Sequence, residues 1–114
     1  MYQDLMPKEF EERLNSDPKG ELIDVRTEQE YLQERIPGAT LLDISGPDFF
    51  EHIQQLPRDK RYYVYCRSGG RSAQAAFFMS QVGLTVYNLY GGILAWHGPK
   101  EVGSPPKVTT SRDH

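Results

Sequence analysis

Tyr62-Tyr63-Val64-Tyr65-Cys66-Arg67-Ser68-Gly69-Gly70-Arg71-Ser72 is the stretch whose reading decides the fold. A β-prone run of aromatic and β-branched residues stops at the chain's one cysteine. A small glycine-rich loop with two arginines follows, and Ala73 to Met79 then has the composition of a helix. Strand, loop and helix in that order form an anion-binding arrangement. Successive N–H groups at the start of a helix lack intrahelical partners and carry the positive end of its dipole. Gly69 and Gly70 can take φ > 0 and let the backbone wrap closely around an anion. A thiol at the mouth of such a ring ionises below its free value of roughly 8.5. Cys66 is therefore the candidate nucleophile, and its substrate is expected to be anionic.

On either side of this stretch, short apolar runs alternate with helical patterns. Pro7 opens a short helix in which Leu5, Met6, Phe10 and Leu14 can meet on one side, and residues 15–20 break it. Leu22-Ile23-Asp24-Val25 is a buried strand carrying an acid. Thr27 and Glu30 fit a capping box for a helix through Tyr31, Leu32 and Arg35, which Ile36-Pro37-Gly38-Ala39 stops. Thr40 to Ile44 forms the next strand, Asp48 to Leu56 the next helix and Val86 to Leu89 a further strand. Gly83 ends the helix after Cys66, and Gly91-Gly92 leads into a short helix ending at Trp96. The alternation predicts an α/β fold around a mostly parallel sheet, in which ligands bind beyond the carboxyl ends of the strands, where Cys66 falls. Tyr62, Tyr63 and Tyr65 are expected to alternate in exposure along their strand.

Composition narrows the function. The 114 residues fit one domain, read as 1–99, with 100–114 as an extended or disordered tail almost free of apolar side chains. The net charge of −3, with no basic stripe, argues against nucleic acid as a partner. One cysteine excludes an intramolecular disulfide, so any sulfur–sulfur bond made at Cys66 must be resolved by another molecule. No spacing of His, Cys or Asp suggests a metal site, and no cofactor is implied. No apolar N-terminal region or run of about 18 apolar residues is present, so the expectation is a soluble cytoplasmic protein without membrane contact.

Three motifs together resemble the rhodanese-like domains, specifically the small single-domain sulfurtransferases. They are Leu22 to Arg26 with Glu30-Tyr31 and Ile36 to Ala39, then Cys66 to Ser72, then Asn88 to Gly92 with Trp96. The resemblance implies a five-stranded, mostly parallel sheet with helices on both faces. It also implies transfer of a sulfane sulfur from thiosulfate or a related small anionic donor, through a Cys66 persulfide, to cyanide or a thiol. A sulfur-donor or sulfur-acceptor protein is a possible partner. Where the family often has histidine before Ile36, this chain has Arg35. Phosphatases and arsenate reductases resemble this loop but close it with one residue more. With four residues between Cys66 and Arg71, the ring suits a sulfur atom on cysteine better than a phosphoryl group.

Among the loop residues, Arg67 is expected to recruit the anionic donor. Arg71 either holds the loop carbonyls or neutralises the anion. Ser68 and Ser72 either donate to the cysteinyl sulfur or cap and turn the chain. Gly69 and Gly70 supply backbone geometry. Asp24 and Arg26 are read as structural support, in an ion pair with Glu30, and not as an acid–base pair. His52 and His97 are read as ordinary surface or packing residues.

Overall fold

The structure, a computed structural model, describes residues 2–104. In chain order it comprises β1 (Tyr2–Leu5), α1 (Pro7–Asn15), β2 (Gly20–Asp24), α2 (Glu28–Gln33), β3 (Thr40–Leu41), α3 (Phe49–Gln54), β4 (Arg61–Tyr65), α4 (Gly70–Gln81), β5 (Thr85–Leu89) and a 3₁₀ turn at Ile93–Ala95. The five strands form one sheet in the order β1-β5-β4-β2-β3, with every pairing parallel. The fold is α/β, as the alternation predicted.

β4 is the central strand, and both of its faces are covered. Tyr62, Val64 and Cys66 point into a core built with Ile53, Ala75, Ala76 and Met79 of α3 and α4. Tyr63 and Tyr65 point into the opposite core with Phe10, Leu89 and Trp96. The expected alternation of the tyrosines is thus between two buried faces, since all three are no more than 1% exposed. A parallel sheet with helices on both sides leaves its middle strand no solvent face. Each hydroxyl finds a partner, which burial demands. Tyr62 donates to the Pro57 carbonyl, Tyr63 to Asp17 and Tyr65 to Asp24, at 2.6, 2.7 and 2.9 Å.

The helix ends follow the sequence signals. At α2, Thr27 Oγ1 accepts the Glu30 N–H at 3.3 Å, while the Glu30 carboxylate accepts the Thr27 N–H at 3.1 Å. At the end of α4, Gly83 has φ +92° and its N–H reaches the Ser80 carbonyl, while Leu84 N–H reaches that of Met79. This pair of bonds closes the helix with an apolar residue just beyond it.

The strand expected over Thr40 to Ile44 forms only at Thr40–Leu41, and two further regions differ from expectation. Tyr2–Leu5 is an edge strand in register with Val86–Leu89, where the sequence pattern gave only the approach to a helix. Four residues of mixed polarity, held mainly through their backbone, carry no period that a pattern could register. The second is the C-terminal segment. Arg35 and Glu101 exchange both backbone hydrogen bonds at 2.9 Å. The Arg35 side chain, 1% exposed, donates to Glu101 and to the Tyr31 and Gly103 carbonyls, and stacks over the Tyr31 ring. Residues 101–103 are therefore fastened to the end of α2 in place of starting a free tail, and 105–114 lie outside the described residues. No helix among the described residues is long and apolar enough to cross a membrane.

Candidate active site

β4 ends at Tyr65, and its ladder to the neighbouring strand continues through Val25 N–H to the Tyr65 carbonyl. Cys66 follows immediately and starts the turn into α4. The turn depends on Gly69, which caps the helix with φ +104°. Gly70 is helical, and a side chain there would meet nothing within 4 Å, so the conformational need falls on one glycine of the pair.

The sulfur sits inside the turn. Gly69 N–H donates to Sγ at 3.1 Å, Ser72 N–H at 3.3 Å and the Ser72 hydroxyl at 3.4 Å. Burial pushes the thiol up, but the Ser72 hydroxyl and N–H, with the N–H groups of Gly69 and Ser68, outweigh it and hold Cys66 below its ordinary value. This is thiolate stabilisation by direct donors at a helix start. Ser72, fully buried within α4, thus acts on the sulfur and not as a cap, whereas Ser68 is exposed and contributes through its backbone. The N–H groups of Gly70 and Arg71, in the first turn of α4, have no protein acceptor among the described residues. They remain open to an atom placed beyond Sγ.

The two loop arginines separate. Arg71 forms a fork with Glu30, Nη1 to Oε1 at 2.8 Å and Nη2 to Oε2 at 2.9 Å. The Arg71 guanidinium, opposed by burial and aided by the Thr27 bonds, holds the Glu30 carboxyl down to about 2. Loop carbonyls are not its partners. Arg67 is exposed and makes no ion pair among the described residues.

The expected grouping of Asp24, Arg26 and Glu30 divides accordingly. Asp24 and Arg26 form their own buried pair, Nε and Nη2 reaching the carboxylate at 2.9 and 2.7 Å, and Arg26 also donates to the Glu34 carbonyl. Glu30 turns to Arg71 because the capping box aims its carboxylate at the start of α4. The Tyr65 hydroxyl joins Asp24 to the backbone N–H of Ile36, so the residue before Cys66 is fixed at its tip as well as along its strand.

The support behind the loop was not read from the sequence. Ile93 N–H donates to the Cys66 carbonyl at 2.9 Å and Leu94 N–H to that of Arg67 at 3.1 Å. Gly92, at φ +67°, lies so close to Arg67 that a Cβ would overlap its carbonyl. The Gly91-Gly92 pair was the available signal, since only glycine permits that approach. His52 and His97 are both exposed. No group of three or more His, Cys, Asp or Glu able to hold a metal ion occurs among the described residues.

A cysteine at the end of the central parallel strand, its sulfur ringed by donors at a helix start, makes this loop the candidate site of an α/β domain. The chain belongs to the Rhodanese-like domain family, which it matches over residues 6–99. A sulfurtransferase of Allochromatium vinosum is 36% identical over 101 residues, covering 86% of this chain and 92% of that protein. A rhodanese-related protein from Thermoplasma volcanium superposes with a TM-score of 0.78 at 31% identity, covering 89% of this chain and 99% of that one. A rhodanese-like domain protein from Staphylococcus aureus gives a TM-score of 0.78 at 25% identity, covering 90% and 99%.

Proposed function

We propose that this protein is a cytoplasmic thiosulfate sulfurtransferase, moving a sulfane sulfur from thiosulfate or a related anionic donor to a thiol or cyanide through a Cys66 persulfide. Family membership and the likeness to a sulfurtransferase support sulfur transfer as the class of reaction. The observation that carries the finer reading is the convergence of three donors on Sγ, with two further N–H groups left open beyond it. In the first step the Cys66 thiolate attacks the outer sulfur of thiosulfate. A bond forms between Sγ and that sulfur, the bond to the sulfite sulfur breaks, and sulfite leaves with the electron pair. In this reading the N–H groups of Gly70 and Arg71 receive the negative outer sulfur and Arg67 meets the approaching dianion. In the second step a thiolate or cyanide attacks the outer sulfur and Cys66 departs as the thiolate.

The test is intact-protein mass spectrometry after incubation with thiosulfate. One added sulfur atom is expected on the wild type and none on Cys66→Ala. A wild type without the adduct overturns the thiosulfate reading. If persulfide appears only with a sulfur-loaded protein donor, the protein is instead a carrier that receives sulfur from a partner. Release of phosphate from a small aryl phosphate would favour the phosphatase chemistry that the short ring argues against.

A further inference from the structure

The cysteine loop is pressed against a second turn, Gly91-Gly92, that follows β5. A side chain at Gly69 would come within 3.3 Å of the Gly91 nitrogen and 3.6 Å of the Leu89 carbonyl oxygen. A side chain at Gly92 would overlap the Arg67 carbonyl and come within 2.6 Å of the Ser68 nitrogen. Each turn thus depends on a glycine that faces the other's backbone. Gly92 combines φ +67° with ψ −165°, a region that in practice only glycine occupies. The 3₁₀ turn that follows, Ile93–Ala95, sends its first two N–H groups into the cysteine loop, Ile93 to the Cys66 carbonyl at 2.9 Å and Leu94 to the Arg67 carbonyl at 3.1 Å.

The consequence lies in the geometry of one peptide. The carbonyl of Arg67 and the N–H of Ser68 belong to the same planar unit, and in a trans peptide they point in opposite directions. Bonding that carbonyl to Leu94 on one side turns the Ser68 N–H to the other, where Sγ lies among the donors from Gly69 and Ser72 at 3.1 to 3.4 Å. The Ser68 N–H is one of the groups that help to hold Cys66 below its ordinary value. A carbonyl oxygen turned toward a thiolate would destabilise it, so tying the Cys66 and Arg67 carbonyls to the second turn favours ionisation. The charged side chains nearby are largely balanced: Arg71 is paired with Glu30 and Arg26 with Asp24, while Arg67 is exposed.

Resting on the sulfur-transfer reading for its purpose, we propose that Gly92 and the Leu94 N–H are positioning groups for Cys66. They fix the Arg67–Ser68 peptide with its carbonyl on the second turn and its N–H toward the sulfur, so that the turn after β5 shapes the nucleophile without touching the substrate. Gly92 supplies the close approach, and Leu94 supplies the bond that sets the rotation of the peptide plane. The Leu94 side chain has no part in this, being 61% exposed.

The test reads the thiol alone and needs no sulfur donor, so a failure to load from thiosulfate overturns the thiosulfate reading and not this one. The rate of Cys66 alkylation by iodoacetamide is followed against pH in the full-length protein and its variants. Gly92→Ala is expected to move the inflection upward by about one pH unit, which makes alkylation below it about tenfold slower. Gly38→Ala is the control for a positive φ alone, since Gly38 has φ +89° with nothing within 4 Å of a Cβ, and it should keep the wild-type inflection whatever it costs in Tm. Leu94→Pro removes the N–H at a φ that a 3₁₀ turn already has, and should also raise the inflection. Leu94→Ala deletes the exposed side chain, keeps the N–H and should leave the inflection in place. An unchanged inflection in either Gly92→Ala or Leu94→Pro, when folded, or an equal shift in its control, overturns the proposal. A measurement on the wild type decides the matter where a variant fails to fold. As Cys66 titrates, the amide resonances of Ser68 and Leu94, one in the Arg67–Ser68 peptide and one bonded to its carbonyl, should move with the midpoint of the thiol. That of Ala95, whose partner is the Gly92 carbonyl, should not. A Leu94 resonance that ignores the titration overturns the proposal.

Discussion

Arg67 and Arg71 leave the same turn four positions apart, and the fold gives them opposite surroundings. Arg71 is half-buried, matched oxygen for nitrogen by Glu30, and brings no unbalanced charge to the site. Arg67 is exposed and unmatched among the described residues. The contrast shows that two guanidinium groups near a nucleophile need not both serve the substrate. One ties the start of α4 to the cap of α2, so that the donors around Sγ stay in place. The other has no ion pair among the described residues, as the proposed recruitment of an anionic donor requires.

The largest expected effect comes from breaking the tied arginine. Arg71→Ala leaves a half-buried Glu30 carboxylate unpaired near a thiolate, at a cost of about 1–3 kcal/mol in stability, and the extra negative charge raises the Cys66 thiol and repels the donor. The expected loss in kcat/KM for thiosulfate is about hundredfold, with the inflection of the alkylation rate against pH moved upward. Arg71→Lys should recover only part of it, because an ammonium cannot reproduce the fork. If Arg71→Ala kept the wild-type inflection, the tie would have no bearing on the sulfur.

Arg67→Ala is expected to act differently and more weakly. Loss of one charge-assisted contact to the donor, worth about 1.5 kcal/mol, corresponds to roughly a tenfold rise in KM with kcat little changed. Steady-state kinetics with thiosulfate separates the two parameters. A fall in kcat at constant KM would instead place Arg67 on the transition state.

Much of this contrast was hidden in the sequence for a physical reason. The alternation of strands and helices from Leu22 onward, the capping box at Thr27 and the place of Cys66 at a strand end were legible because each is written in neighbouring residues: a period, a cap or a strand end beside glycine. What could not be read was partner choice across the fold. Glu30 and Arg71 are 41 positions apart, and nothing local distinguishes Glu30 from Asp24 as the acid that meets a given arginine. The same holds for Arg35, which pairs with Glu101 over a separation of 66. It holds again for Tyr2–Leu5, whose strand exists because β5 offers it an open edge. The loop residues were visible as a cluster in the chain; which of them are tied by ion pairs depends on contacts that only the sheet order creates.

The smallest predicted effect is the most specific to the pair. Glu30→Gln keeps a side chain able to accept the Thr27 N–H, since glutamine also serves at that place in a capping box, and so removes the charge with little change to the cap. The Glu30 carboxyl is held down to about 2, first by Arg71, from an unfolded value near 4.5. A depressed carboxyl contributes stability that is present above the unfolded value and disappears as pH falls through the folded one. The wild type should therefore exceed Glu30→Gln by about 1 kcal/mol at neutral pH, the figure discounted because both side chains are partly open to solvent, and the gap should close between about pH 4.5 and pH 2. Urea unfolding of both proteins across that range measures it. The freed guanidinium should also lower KM for thiosulfate about threefold, as a second unmatched cation at the loop would. A stability gap independent of pH would mean that Glu30 acts through the cap alone and that Arg71, like Arg67, is already available to the donor.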